Sequence, residues 1–209
     1  MRDMIRNLIV ALVLMVSGAA FAAIEAGKDY NVLMPAQPTG SGAKIEVLEF
    51  FFYGCSHCFN LHPRLIEWEK DMPKDVELTY VPTIFRENME SMARTFYALE
   101  TLGKLKQLHE PLYRAWNVEN QQLFEEAQIA DFVASKGVDR AKFLAAFNSF
   151  SMQSKVTRAK QMTRSYRITG TPTLIVNGKY SISGLQPNDS IRVLKEVIEM
   201  ARKEQQHRK

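Results

Sequence analysis

The first strong hydrophobic pattern in the chain is KIEVLEFF, from Lys44 to Phe51, which is rich in branched and aromatic residues and is soon followed by Gly54. Such a run predicts a largely buried strand. A second run, VELTYV from Val76 to Val81, predicts another strand, which Pro82 stops. The segment between the two runs is long enough for a crossover, so we expect the strands to pair in parallel.

The crossover itself carries a helical pattern. Apolar side chains recur along one helical face at Cys58, Leu61, Leu65 and Trp68. This spacing predicts a helix that begins at Cys55. Pro63 lies inside the helix, where it removes a backbone donor and is expected to kink the helix near its second turn. The patterns therefore predict a strand–helix–strand unit.

From about Glu87 to Tyr166 the hydrophobic spacing is helical throughout and predicts several consecutive helices. Four apolar stripes carry the pattern: Met92, Phe96, Leu99 and Leu102; Leu105, Leu108 and Leu112; Phe143, Phe147 and Phe150; and Met152, Val156, Ala159 and Tyr166. Gly137 and Asp139 predict the end of one helix and the N-cap of the next. We interpret all four stripes as core packing.

Strand character returns after the helical block. The runs 173–176 and 179–182 flank Asn177-Gly178, a strong signal for a two-residue hairpin. A last amphipathic helix carries Ile191, Leu194, Val197, Ile198 and Ala201. The element order predicts an α/β fold interrupted by an all-helical insert. Its predicted segments are residues 23–86, the insert 87–166, and residues 167–209.

The first 22 residues differ from the rest of the chain. Arg2 and Arg6 precede an apolar run from Leu8 to Val16, and Ala20-Phe21-Ala22 follows it. This is the layout of a secretory signal peptide, so we expect export and cleavage after Ala22. The alternative is an uncleaved membrane anchor, but the apolar stretch of roughly 16 residues is just short of a usual span.

Composition narrows the function classes only slightly. The net charge is +4, and removal of two Arg and one Asp with the signal peptide leaves +3, which favours no nucleic-acid partner. The chain is 46% hydrophobic, and the residues after Ala22 can bury a full core without a disulfide. Its only cysteines are Cys55 and Cys58, whereas exported proteins that use disulfides as structural links usually carry several.

Three roles are open to this cysteine pair. As a structural link, a four-residue loop would stabilise the fold by only about 1.9 kcal/mol. As a metal site, Cys55, Cys58 and His62 would supply three ligands, where a closed zinc site needs four. We interpret His62 as a helix-surface residue, and His109 and His207 are isolated in the sequence. A metal-binding protein remains the alternative from another functional class, although no metal site is predicted.

A redox pair explains more of the pattern. Cys55 is expected at a helix N-terminus, where backbone N–H groups and the helix dipole favour a thiolate. His57 can donate a hydrogen bond or carry positive charge beside that sulfur. Cys58 is expected one turn deeper, which suits attack on a mixed disulfide. Since the chain has no flavin or nicotinamide motif, we predict that the Cys55–Cys58 disulfide is the whole redox centre, with no cofactor.

Several motifs together resemble the DsbA family of periplasmic thiol–disulfide oxidases, which have a thioredoxin-like fold. They are VLEFF leading into C-x-H-C, a helical insert of about 80 residues, and GTPTLIVNGKY. The resemblance implies that Cys55 is the nucleophile, that Cys58 resolves, and that His57 stabilises the Cys55 thiolate. It also implies a cis bond between Thr171 and Pro172, where the preceding backbone pairs with an extended substrate by strand addition.

The resemblance extends to a buried acid and includes two departures. Glu49, six residues before Cys55, matches a buried acid that would shuttle protons for Cys58; the alternative is an ordinary charged residue on a strand face. Ser56 stands where a familiar family member has proline. The lysine often paired with the acid is missing, and Tyr80 or a neighbour takes its place.

The implied function is oxidative folding in the periplasm. The chain would donate its disulfide to reduced, unfolded exported proteins and be re-oxidised by a DsbB-like, quinone-linked membrane oxidase. A disulfide isomerase or reductase of the same fold is the nearest alternative. Such isomerases usually add an N-terminal dimerisation domain, for which the roughly 21 residues between Ala22 and the first core strand leave no room, so we expect a monomer.

Overall fold

A computed structural model describes residues 23–207; the predicted signal peptide and its cleavage site lie outside this range. The strands are β1 (Asn31–Val32), β2 (Ile45–Phe51), β3 (Val76–Pro82), β4 (Thr173–Val176) and β5 (Tyr180–Ser183). The helices are α1 (Ser56–Lys70), α2 (Glu90–Thr101), α3 (Leu105–Asn117), α4 (Glu126–Ser135), α5 (Arg140–Phe147), α6 (Phe150–Ser165) and α7 (Pro187–His207). No helix in this range has the length and apolar character needed to span a bilayer.

The strands form one mixed sheet in the order β1-β5-β4-β2-β3. β2 pairs in parallel with β3, so that Ile45 lies opposite Val76, and the intervening helix α1 makes the crossover. On its other side β2 pairs antiparallel with β4. The predicted strand–helix–strand unit with parallel pairing is therefore confirmed, and α1 continues through Pro63.

The central strand β2 is buried on both faces. Successive side chains of a strand point to opposite faces. Ile45 and Val47 join a core that includes side chains of α1 and α7, whereas Leu48 and Phe50 pack into a separate core. Glu49 shares the parity of Ile45 and Val47, which places this acid on the face covered by α1.

The predicted helical block is present as a 3₁₀ turn (Glu87–Met89) followed by α2 to α6, and most members of its stripes pack into a common core. Tyr166 follows the end of α6 and packs instead in the core that contains Leu48 and Phe50. One stripe was wrong at its end. Phe143 and Phe147 are buried, but Phe150 is 95% exposed. Because α5 ends at Phe147 and α6 begins at Phe150, the break between the two helices resets the helical phase, and the three-residue spacing no longer places Phe150 on the buried face.

The predicted hairpin is also present. Asn177 and Gly178 both have positive φ, at 51° and 66°, as a tight two-residue turn between twisted strands requires. A Cβ on Gly178 would lie 2.0 Å from the carbonyl oxygen of Gln37, so the close approach of that segment also demands glycine. The Lys179 N–H donates to the Val176 carbonyl oxygen and closes the turn, but Val176 pairs with Tyr180, so three residues separate the paired positions where two were predicted. β5 accordingly begins at Tyr180, one residue later than predicted.

Candidate active site

The start of α1 is shaped by a glycine. A Cβ on Gly54 would lie 2.5 Å from the ring of Phe52 and 2.9 Å from that of Trp116, so the turn can pack against these rings only without a side chain. Cys55 is the N-cap residue, with extended backbone angles, and Ser56 is the first helical residue. The expected position of Cys55 at a helix N-terminus is therefore observed, with its sulfur near the free N–H groups of the first turn.

Cys55 is half-buried, and its thiol donates to the Thr171 carbonyl oxygen at 3.2 Å. A hydrogen bond from the Cys58 thiol is the main cause that lowers the pKa of Cys55 to about 5; burial opposes the shift. The Thr171 side chain and the backbone N–H groups of Cys58 and His57 lower this pKa further. A low pKa of the first cysteine is an established property of DsbA, so this value agrees with the resemblance noted in the sequence.

The segment that contains Thr171 approaches the cysteine from across the sheet. The peptide bond between Thr171 and Pro172 is cis, in agreement with the expectation from the resemblance. Pro172 lines an open cleft together with His57, Leu61 and residues 183–186, which begin at the last residue of β5. The structure thus brings Cys55, His57 and the Thr171–Pro172 segment to one end of this cleft.

His57 lies on the open side of the site, and its imidazole is exposed. The part of His57 that lowers the pKa of Cys55 in this structure is its backbone N–H. Such a contribution follows from the position of His57 in the first helical turn, where an N–H group points towards the N-terminal end. The role of the imidazole remains a prediction.

Cys58 lies one turn further along α1 and is completely buried. Burial raises the pKa of its thiol, and the hydrogen bond to Cys55 and the nearby Glu49 raise it further. The two cysteines are both free thiols in this structure. Although they are three positions apart, one sulfur is stabilised as an anion and the other as a neutral thiol.

Glu49 is the buried acid beneath the cysteines. Its side chain is fully buried, and neither of its carboxylate oxygens has a hydrogen-bond partner within residues 23–207. Burial, followed by the charges of Glu69 and Cys55, raises the pKa of Glu49 to about 8. Glu49 is therefore mainly protonated at neutral pH and can release a proton close to Cys58.

The place expected for a lysine is taken by Tyr80, which lies directly opposite Glu49 in the β2–β3 register. Its hydroxyl donates to Glu69 Oε2 at 3.1 Å and leaves the Glu49 oxygens unbonded. Burial and the charges of Glu49 and Glu69 raise the pKa of Tyr80, so Tyr80 stays a neutral phenol. The acid at the base of this site thus faces a phenol where the resemblance suggested an ammonium group.

Two histidines were misjudged from the sequence. His62 is not a helix-surface residue: it is 5% exposed and lies on the buried face of α1. His109 is not isolated, because its ring centroid lies 4.8 Å from that of His62. The four-residue spacing from Cys58 to His62 could have indicated a shared helical face, but only the packing of α3 on α1 brings His109 to it.

Two tyrosines complete these surroundings, and the sequence analysis did not single them out. The Tyr53 hydroxyl lies 2.7 Å from Nδ1 of His109, and the ring of Tyr113 packs 5.1 Å from that of His62. Both tyrosines are buried. Across the part of the chain that the structure describes, no three His, Cys, Asp or Glu side chains are grouped so as to hold a metal ion.

Comparison with known proteins gives a consistent result. The sequence profile of the DSBA-like thioredoxin domain matches residues 46–199. The thiol:disulfide interchange protein DsbA of Pseudomonas aeruginosa is 34% identical over 206 residues, which cover 97% of this chain and 98% of the relative. The protein of the same name from Bordetella pertussis is 37% identical over 183 residues, which cover 86% of this chain and 87% of the relative.

Solved structures show the same likeness in three dimensions. The crystal structure of Pseudomonas aeruginosa DsbA superposes with a TM-score of 0.82 at 34% identity, covering 86% of this chain and 95% of that one. The oxidoreductase NmDsbA1 of Neisseria meningitidis superposes with a TM-score of 0.81 at 26% identity, covering 88% and 97%. The fold is therefore thioredoxin-like with an inserted helical segment, as the sequence predicted.

Proposed function

The chain belongs to the family of DSBA-like thioredoxin domains, and we propose that it donates a Cys55–Cys58 disulfide to reduced client proteins. It is a protein thiol–disulfide oxidoreductase. The observation that carries the finer proposal is the opposite character of its two sulfurs. Cys55 is half-buried with a pKa of about 5, whereas Cys58 is buried and its pKa is raised.

In the first step a client thiolate attacks Cys55 Sγ. A sulfur–sulfur bond forms between client and Cys55, and the bond between Cys55 and Cys58 breaks. The electron pair leaves with Cys58, whose raised pKa makes it take up a proton. Glu49 supplies that proton, because its carboxyl is buried near Cys58 and protonated at neutral pH.

In the second step another client thiolate attacks the client sulfur of the mixed disulfide. The client disulfide forms, and Cys55 leaves as a thiolate that its surroundings stabilise. The client has lost two electrons and the chain has gained two. If the second client thiol is out of reach, Cys58 attacks Cys55 and releases the client unchanged. For each pKa unit by which Cys55 lies below the ambient pH, the disulfide is about 30 mV more oxidising.

The residues around Cys55 hold the client in place. The backbone beside Thr171 is close to the reacting sulfur, and Pro172 lines the open cleft. An extended client segment pairs there by strand addition, which positions its cysteine without requiring a particular sequence. His57 adds an imidazole on the open side, where it stabilises the Cys55 thiolate.

The wider setting is part of the same proposal. Residues 1–22 direct export and are removed after Ala22, so that the mature chain acts in the periplasm as a monomer. Its clients are unfolded exported proteins with reduced cysteines, and a DsbB-like, quinone-linked membrane oxidase restores the disulfide. No cofactor, metal ion or nucleic acid takes part. N-terminal sequencing of the exported protein tests the cleavage site, and sedimentation tests the monomer.

The direct test mixes the oxidised protein with an equal amount of a reduced two-cysteine peptide. We expect the peptide to become the disulfide form and the chain to become the dithiol, as followed by mass spectrometry. Equilibration with a glutathione series then gives the potential. A chain that keeps its disulfide while the peptide stays reduced would overturn the donor assignment and favour a reductase.

A further inference from the structure

Below the reacting sulfurs lies a buried group of two imidazoles and two phenols: Tyr53, His62, His109 and Tyr113, here called the His–Tyr cluster. The ring centroids of His62 and His109 are 4.8 Å apart, and those of His109 and Tyr113 are 5.2 Å apart. The Tyr53 hydroxyl lies 2.7 Å from Nδ1 of His109. No side chain of the cluster is more than 5% exposed.

The cluster adjoins both groups that handle the proton in disulfide exchange. His62 follows Cys58 by one turn on the buried face of α1. Burial raises the pKa of Tyr113, and the charges of Glu49 and Cys58 raise it further. Glu49 acts in the same way on the pKa of Tyr53. The cluster therefore packs beside Cys58 along α1, and the charge of Glu49 acts on its two tyrosines.

Most of the buried side-chain polar atoms that lack a hydrogen-bond partner in the described residues belong to this cluster or to Glu49. Within residues 23–207, His62 Nδ1, His109 Nε2, the Tyr113 hydroxyl and both Glu49 oxygens are buried without a hydrogen-bond partner. Burying such groups costs stability, and apolar side chains of similar size would fill the space without that cost. Their concentration beside one reacting thiol indicates a functional use.

The two imidazoles have the protonation state that proton relay requires. Burial lowers the pKa of His62, and burial together with His62 lowers that of His109 well below its usual range. Both rings are therefore neutral at neutral pH. A neutral imidazole has one donor and one acceptor nitrogen, so it can take up a proton at one nitrogen and release one from the other.

On α3, the residue that follows buried His109 is exposed to solvent. Glu110, an exposed residue next to His109, acts on the pKa of His62 and opposes its lowering. On the β3 side, Tyr80 packs 5.1 Å from His109 and donates to half-buried Glu69. The titratable groups that contact the two imidazoles or act on their pKa are Tyr53, Tyr80, Tyr113 and Glu110. Beyond them, Glu49 and Cys58 act on the tyrosines, and Lys106 acts on Glu69.

We propose that His62 and His109 relay a proton between solvent and Glu49 each time Cys58 is released as a leaving group. The inference rests on the proposed disulfide donation and adds to it a route for the proton. Glu49 lies within the protein and can serve repeated turnovers only if its proton is replaced. Tyr80 lies opposite Glu49 where a lysine was expected and packs against His109, so the His–Tyr cluster is a packed group of proton-carrying side chains beside the acid.

The balance of the step is simple. Cleavage of the disulfide leaves Cys58 as a thiolate, and Glu49 protonates it and becomes a carboxylate. The cluster returns a proton to Glu49, and His62 takes one from solvent. One proton from water is consumed for each disulfide cleaved, and no electron moves through the cluster. During re-oxidation Cys58 loses its proton, and the relay runs in reverse.

The test follows one turnover of the oxidised protein with excess reduced peptide between pH 5.5 and 8.5. A pH-indicator dye records proton uptake, and fluorescence records disulfide cleavage. For His62→Gln and His109→Gln we expect proton uptake at least about tenfold slower than in wild type, as for loss of a general acid–base group. We expect the equilibrium constant with glutathione to stay within about twofold, because a relay alters rates and leaves equilibria unchanged.

Two controls separate relay from packing. Phe96→Leu alters a buried ring whose centroid lies 6.0 Å from that of His109 and removes no proton carrier; His207→Gln removes an exposed histidine at the end of α7. Proton uptake should match wild type in both. In His62→Ala, added imidazole should restore the rate, because the free ring can occupy the space that the deleted side chain leaves and carry the proton in its place.

The outcomes are distinguishable. If wild type itself transfers no disulfide, the proposed function fails and the relay with it. If wild type transfers its disulfide but the histidine variants keep its proton-uptake rate, the relay is overturned. A shift in the glutathione equilibrium that matches the rate loss, without rescue by imidazole, also overturns it. Should the variants not fold, a wild-type uptake rate that is equal in heavy and light water contradicts the relay.

Discussion

Two regions of the active site differ in almost every physical property, although they are joined by one turn of helix. The entrance, formed by Cys55, His57, Thr171 and Pro172, is open to solvent and supplies hydrogen bonds to a thiolate. The floor, formed by Glu49, Cys58, His62 and His109, is buried and holds its groups neutral. The entrance stabilises charge, and the floor excludes it.

The contrast shows that residue type does not decide how a cysteine behaves. Cys55 and Cys58 have the same side chain, yet their pKa values move in opposite directions. The hydrogen bond from the Cys58 thiol, helped by the N–H groups of the first helical turn, accounts for the lowered pKa of Cys55. Burial accounts for the raised pKa of Cys58. Disulfide donation needs both shifts. A stabilised Cys55 thiolate makes transfer of the disulfide to the client favourable, and a neutral Cys58 thiol does not attack the mixed disulfide and re-form the original bond.

The largest difference between entrance and floor is expected when each sulfur is removed in turn. In Cys55→Ser we expect complete loss of disulfide transfer, because the nucleophile itself is gone. In Cys58→Ser we expect a trapped mixed disulfide between Cys55 and the client, since the resolving thiol is missing. Mass spectrometry after incubation with an oxidised peptide measures both. A mixed disulfide on Cys58 in Cys55→Ser would reverse the assignment.

The next largest effect is expected for Glu49→Gln at the floor. In the unfolded chain Glu49 ionises with its ordinary pKa of 4.5, whereas in the folded reduced protein burial raises this pKa to about 8. Between pH 4.5 and pH 8 the folded state therefore binds more protons than the unfolded chain. The stability that protonated Glu49 contributes is fully present below pH 4.5 and is lost as the pH rises to about 8. The contribution of Glu49 to the free energy of unfolding should fall by about 1.4 kcal/mol per pH unit there. The lowered pKa of Cys55 contributes with the opposite sign, so the slope of Glu49 is read from the difference between wild type and Glu49→Gln.

Glu49→Gln removes that pH dependence, so the variant should become more stable than wild type as the pH rises. Urea unfolding of the reduced proteins at pH 5 and pH 7.5 measures the difference. Glu77→Gln, which alters an exposed acid on β3, is the matched control and should keep the wild-type slope. Parallel pH profiles for wild type and Glu49→Gln would contradict the buried, protonated carboxyl.

A smaller effect is expected at the entrance for His57→Ser. The backbone N–H of residue 57 is retained, so only the contribution of the imidazole is lost. We expect the pKa of Cys55 to rise by up to about one unit, which makes the disulfide about 30 mV less oxidising. Iodoacetamide alkylation against pH measures this, with Asn60→Ser on the same helix as control. An alkylation curve like that of wild type would refute the role of the imidazole.

The smallest effect is expected for Ser56→Pro. Ser56 is the first residue of α1, a position where proline is tolerated because its N–H has no intrahelical acceptor. The N–H groups that lower the pKa of Cys55 belong to residues 57 and 58, and both remain. Alkylation and thermal unfolding should therefore change little, with stability within about 0.5 kcal/mol. A large shift would mean that Ser56 itself tunes the entrance.

Local patterns account for much of the fold and for the entrance. The apolar run 44–51 predicts the buried strand that carries Glu49, and Asn177-Gly178 predicts the hairpin beside the Thr171–Pro172 segment. Both depend on interactions between near neighbours in the chain. Phe150 shows the limit of such reasoning, because a stripe was extended across a break between two helices and its last member is exposed.

The floor was less predictable because its members come from distant segments. His62 could have been found by counting one turn from Cys58, but its meeting with His109 depends on how α3 packs against α1. The partner of Tyr80 likewise depends on the side chains around it: the phenol lies opposite Glu49 in register but bonds Glu69. Spacing along the chain contains no information about such meetings.

The sequence alone determined the order of the elements, the start of the active-site helix and the position of both cysteines, because hydrophobic period and turn chemistry act over a few residues. Only the tertiary structure decided which sulfur meets Thr171, how deeply Glu49 and Cys58 are buried, and which rings surround them. Burial and electrostatic environment depend on all the segments that pack at a point, and those segments are remote from one another in the chain.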